Sequence, residues 1–136
     1  ALGVSVSQDL SVNNRPENLD PAGLSIAFAS AAAAAAEAVA AGLLDAGAEL
    51  AVVTMGADGS LARDGARSVR MPALPVDPVD TTGAGDSFIA GFLSVHAAGG
   101  DLAAALAAGA SAARLTCLHP GGFPQQAIDL AGVTIL

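Results

Sequence analysis

The sequence predicts an alternating α/β fold, a layered and mainly parallel sheet flanked by helices. Three observations carry that expectation. Short apolar runs suited to strands alternate with helix-forming stretches along the chain. The run ELAVVT (49–54) is valine-rich and almost wholly apolar, as a parallel strand covered on both faces should be. The 136 residues, 53% of them hydrophobic, suffice for one domain, residues 1–136, with a substantial core.

Taken in order, LGVSVS (2–7) and DLSV (9–12) read as extended, and NNRPENLDP (13–21) as a polar turn. Residues 23–41 are dominated by strong helix formers, with Gly42 as the expected stop. ELAVVT gives the next strand, followed by the glycine turn GADG (56–59). In SLARDGARSVRM (60–71), the Asp-Gly pair at 64–65 sits between two short extended pieces and signals a hairpin. MPALPVDPVD (71–80) carries three prolines and is expected to be an extended connection. Two helices follow, over 86–98 and 101–115, with Asp101 as N-cap of the second. HPGGFP (119–124) is a turn, PQQAIDLAG a last short helix and VTIL a terminal strand.

Composition excludes several function classes. The net charge is −8, and all five basic residues are arginines, with no basic stripe to follow nucleic-acid phosphates. The absence of lysine excludes a P-loop of the G-x-x-x-x-G-K-[ST] type. Any phosphate must therefore be held by backbone amides, arginine or a metal ion. One cysteine, Cys117, rules out an internal disulfide and a multi-cysteine zinc site, and fits a reducing cytoplasm. The soft run AFASAAAAAAEAVAAG (27–42) is alanine-rich and broken by Ser30 and Glu37, so it reads as a soluble helix and not a membrane span. The first residues lack a basic segment, so no secretory signal is expected.

The informative stretch is VDTTGAGDSFIAGF (79–92). A Gly-Ala-Gly hinge entering a helix points several N–H groups one way, and with the helix dipole these bind an anion. An acid beside such a nest, Asp86, makes chemical sense where a phosphoryl group moves. The amides stabilise charge on the transferring phosphate, and the carboxylate accepts the proton of an attacking hydroxyl. As an isolated motif, GAGD is equally an ordinary helix start with Asp86 as N-cap.

The string Asp80-Thr81-Thr82-Gly83-Ala84-Gly85-Asp86 resembles the second signature of the ribokinase-like (PfkB-type) carbohydrate kinases. Upstream, TMGADG (54–59) resembles the family's T-x-G-x-x-G nucleotide loop, and NRPE (14–17) its N-x-x-E motif. DLSVNNR (9–15) also resembles the D-x-N-x-R segment of the ketodeoxygluconate and fructose kinase branches. N-x-x-E is preferred because a strand runs into it without a gap. The resemblance spans about residues 9 to 124.

It implies a ribokinase-like fold and ATP-dependent phosphoryl transfer to a hydroxyl of a sugar or sugar-like substrate. Asp86 would be the base, and the amides of Gly83, Ala84, Gly85 and Asp86 the anion hole. Thr54, Gly56 and Gly59 would line the nucleotide site. Asn14 and Glu17 would organise Mg²⁺ and the phosphates, Glu17 through water. Asp80 and the Thr82 carbonyl match positions that hold an activating monovalent cation such as K⁺, with the turn at Gly121 and Gly122 as its neighbour.

His96 and His119 have no second ligand at metal spacing, Arg114 reads as a helix-surface charge, and Cys117 as a small core residue. GAGD lacks the spacing of a nicotinamide-binding fingerprint. Family members are usually considerably longer, with a first half that carries a sugar-binding signature and a small lid. The expected fold is therefore incomplete, with an uncovered sheet edge or apolar face, and self-association or marginal stability alone is expected. A non-catalytic nucleotide-binding or oligomerising fragment is the alternative reading.

Overall fold

The computed structural model describes residues 4–11 and 19–122. The expected short helix and terminal strand after residue 124, and the polar segment with Asn14 and Glu17, lie outside these. The elements are β1 (Ser7–Asp9), β2 (Ile26–Ser30), α1 (Ala36–Asp45), β3 (Leu50–Thr54), β4 (Ser60–Asp64), β5 (Ser68–Met71), α2 (Ala84–His96) and α3 (Leu102–Thr116). The five strands lie side by side in chain order. β1–β2 and β2–β3 pair parallel, whereas β3–β4 and β4–β5 pair antiparallel, so only β4 runs against the other four. The described sheet is thus mixed but mostly parallel.

The expected helix over 23–41 requires correction. Its first third is the strand β2, and the helix begins only at Ala36. Alanine favours a helix in isolation, but β2 lies between β1 and β3, where both ladders are satisfied and Ile26, Ala27 and Phe28 are buried. Small residues there let the sheet accept helices on either face. The helix also runs through Gly42 to Asp45, and the left-handed turn falls on Gly47. Among the described residues of the first two extended stretches, the strand is the short β1.

Period-two alternation sorts the side chains into two layers. Ile26, Phe28, Leu50, Val52 and Ala62 face α2 and α3, where they pack with Phe88, Phe92 and Leu106. Phe92 is fully buried and meets Phe28 edge to face, with ring centroids 5.6 Å apart. Ala51, Val53 and Leu61 face the other way, onto Ala36 and Ala40 of α1. Residues 56–58 form one 3-10 turn between β3 and β4.

The hairpin at Asp64-Gly65 forms as expected. Asp64 accepts from the amides of Ala66 and Arg67, 2.8 Å each, and from the Arg67 guanidinium at 2.8 Å. Those bonds, the Ala66 amide foremost, hold its carboxyl below the usual range. Arg63 and Arg70 each reach Glu37 of α1 at 3.5 Å. All three hairpin arginines are therefore paired with carboxylates, Arg63 and Arg70 with Glu37 of α1 and Arg67 with Asp64 inside the hairpin. Asp101 caps α3 by accepting from the Ala104 amide at 2.7 Å.

Candidate active site

The site forms where β2 and β3 end and α2 begins. The Pro-rich connection after β5 crosses these ends and returns to α3, where the Cys117 carbonyl accepts from the Val79 amide at 2.8 Å. The chain then enters α2 through Gly83, the N-cap residue, which is left-handed with φ 76°. A Cβ at Gly83 would stand 2.6 Å from the Gly122 Cα, so the position requires glycine for both backbone angle and space. Asp86 is therefore not the N-cap. It lies in the first turn of α2, exposed, and its carboxylate forms no hydrogen bond to any described residue.

The entry turn sorts the expected anion-hole donors. The Ala84 amide is already donated to the Thr81 carbonyl at 3.1 Å. The N–H groups of Gly83, Gly85 and Asp86 have no backbone acceptor among the described residues. Three of the four expected amides are thus available to an anion at the positive end of a 13-residue helix.

Two cavities adjoin this turn. The larger, about 1000 Å³, lies between the sheet, the Pro-rich connection and α3, and Thr54, Gly56, Gly59, Ala84 and Gly85 border it. The smaller, about 230 Å³, is bordered by Asp9, Ser11, Gly83, Gly85 and Asp86. Ser30, Thr54 and Gly85 border both, so the cavities meet at the mouth of α2. Gly59 is held as tightly as Gly83, because a Cβ there would fall 2.1 Å from the Met71 carbonyl oxygen.

Asp80 and Thr82 precede α2 and border neither cavity. Asp80 Oδ1 accepts from the Thr82 amide and Oδ2 from the Gly121 amide, 2.9 Å each. It staples the entry turn of α2 to the turn after α3, which seats Gly122 against Gly83. These backbone bonds, the Thr82 amide first, lower its carboxyl to about 2. A depressed carboxylate stabilises the fold above its unfolded value, near 3.8, and that contribution is lost as pH falls through about 2. In an NMR titration the Thr82 and Gly121 amide shifts should hold steady from pH 5 to pH 3 and move together near 2. A midpoint near 3.8 would contradict the staple.

Residues beyond the sequence expectation also enter the site. The hydroxyls of Ser30 and Thr54 meet at 2.8 Å across the β2–β3 register. Ser60, next in that row, borders the larger cavity with its hydroxyl buried and unpartnered among the described residues. Asp9 borders the smaller cavity together with Asp86 and accepts from Ser11 through both its amide and its hydroxyl. The sequence placed Asp9 at the head of the DLSVNNR stretch but assigned it no role. It held no signal for Ser30, which lay inside the expected helix. Cys117 is buried and Arg114 exposed on α3, as expected, and both also border the larger cavity.

Comparison with known proteins agrees with this architecture. Fructoselysine 6-kinase of Escherichia coli K12 is 47% identical over 77 residues, 57% of this chain and 30% of that protein. The ribokinase of Arabidopsis thaliana, solved with ribose and ATP, superposes with a TM-score of 0.78 at 24% identity, over 88% of this chain and 43% of its own. Aminoimidazole riboside kinase from Salmonella enterica, solved with aminoimidazole riboside and an ATP analogue, superposes at 0.69 with 25% identity, over 87% of this chain and 47% of its own. The chain thus spans under half the length of each of these kinases. A family model described as pfkB family carbohydrate kinase matches residues 12–126, and with the mixed sheet and the glycine-hinged mouth of α2 this places the chain in the pfkB family of carbohydrate kinases.

Proposed function

We propose that this chain carries the nucleotide-side and catalytic part of an ATP-dependent kinase acting on a hydroxyl of a sugar or sugar-like molecule. The observation that carries the reading is the junction of the two cavities at the mouth of α2. The larger is roomy enough for a nucleotide; the smaller holds the one free carboxylate of the entry turn. ATP would lie in the larger cavity with its phosphates toward Gly83 and Gly85, beside Thr54 and the turn from Gly56 to Gly59. The acceptor hydroxyl would enter the smaller cavity.

Asp86 then takes the hydroxyl proton as the oxygen attacks the γ-phosphorus. The bond from that phosphorus to the β-phosphate oxygen breaks, and ADP leaves with the electron pair. The amides of Gly83, Gly85 and Asp86 meet the charge on the transferring group without reorganising. The Ala84 amide, spent on Thr81, contributes nothing direct.

Among the described residues no group of three or more His, Cys, Asp or Glu could hold a metal ion. That suits Mg²⁺ in a kinase, which binds through one or two carboxylates plus substrate phosphates and keeps several waters. Asp9 and Asp86 are the carboxylates bordering the smaller cavity, and Asn14 and Glu17 are further candidates from the sequence. When bound, Mg²⁺ would neutralise phosphate charge. Asp80 is first a staple between turns, so K⁺ there would have to use its remaining lone pairs and the Thr82 carbonyl.

The test is ADP release from ATP and Mg²⁺ with a panel of ketoses, aldoses and aminated sugars. Sugar-dependent ADP supports transfer. Nucleotide binding without sugar-dependent ADP favours the second reading, a nucleotide-binding part without catalysis.

A further inference from the structure

We infer that Arg114 is a base-contacting residue, its guanidinium plane lying against the aromatic base of the nucleotide. The inference rests on the nucleotide seat proposed above. If the phosphates lie at the mouth of α2, where Ser30, Thr54 and Gly85 are shared between the cavities, the rest of the nucleotide extends along the larger one. The apolar part of its lining includes Pro75, Val76, Ala110 and Ala113, with Arg114 beside them.

Arg114 is the sole charged side chain among the described residues bordering that cavity. It makes no ion pair with a described carboxylate. Its Nε donates to the Pro75 carbonyl at 3.0 Å, which fixes one edge of the guanidinium to the cavity wall and leaves both Nη groups uncommitted among the described residues. An exposed arginine held by one backbone bond has lost much of its rotamer freedom before a ligand arrives. A fixed, planar cation beside an apolar wall suits an aromatic face, through stacking and cation–π attraction. A flexible ammonium does not supply that plane. The competing role is purely structural: a basic residue in the last turn of α3 favours the helix dipole and ties down the connection.

Calorimetric titration of the 136-residue chain with ADP and with adenosine, on wild type, R114M and R114K, separates these roles. Melting temperatures without ligand accompany it. Both variants should bind ADP and adenosine more weakly by one common factor, about tenfold. R114K should recover little of the loss. Wild-type affinity in R114M, even with a lowered melting temperature, overturns the inference and leaves a structural staple. A loss confined to ADP, or full recovery in R114K, overturns it in favour of a phosphate contact. If wild type binds no ADP, the nucleotide seat itself fails and the inference with it; if wild type binds and the variants match it, only the inference fails.

Discussion

Replacing Asp86 by Asn should lower sugar-dependent ADP formation by about 10²–10⁴-fold, the range of a positioned general base. ADP affinity should stay within a few-fold of wild type. The Asp86 carboxylate is exposed and bonds to no described residue, so the amide costs the fold little. The residue keeps its place in the first turn of α2, and its own N–H remains for the anion. What is lost is the capacity to accept a proton where the two cavities meet. Single-turnover kinetics with saturating nucleotide isolates that step. Equal turnover in D86N would remove Asp86 from the chemistry, and a parallel loss of ADP affinity would assign it to binding.

Gly83→Ala should be the most damaging small substitution in the entry turn. The left-handed backbone, φ 76°, costs a non-glycine residue about 1–2 kcal/mol. The added methyl would also sit 2.6 Å from the Gly122 Cα, so one of the two turns must shift. The combined loss should reach about 2–4 kcal/mol in urea unfolding, with ADP affinity falling alongside because the same turn aims the free amides. Gly85→Ala is the control. Its Cβ would meet nothing within 4 Å, and the residue lies within α2, so the fold should be unchanged or slightly more stable. If G83A unfolds like G85A, the close approach of Gly83 and Gly122 is not what shapes the turn.

The elements legible in the sequence were those whose local and tertiary preferences agree. β3 is valine-rich and is also central. The Asp-Gly hairpin carries its own turn chemistry, and Asp101 caps the helix it precedes. β2 was illegible because the two preferences conflict: alanine favours a helix locally, while pairing on both sides draws residues 26–30 into the sheet. Missing that strand also hid Ser30, which its end delivers to both cavities. The glycine-threonine string was legible as a helix entry, but its wiring was not. Nothing local says that Thr81 takes the Ala84 amide, or that Asp80 reaches Gly121 across 41 positions. Arg114 read as surface charge because its neighbour, the Pro75 carbonyl, lies 39 residues away in the chain.

The most direct test of the account is calorimetric titration of the 136-residue chain with ADP in Mg²⁺ and K⁺, beside a circular-dichroism melt showing the chain folded. Saturable binding at one site, abolished or strongly weakened in G83A, is the predicted result. A cooperatively folded chain that gives no binding heat at any temperature, and whose melt ADP does not shift, would contradict the claim that the larger cavity and the mouth of α2 form a nucleotide site.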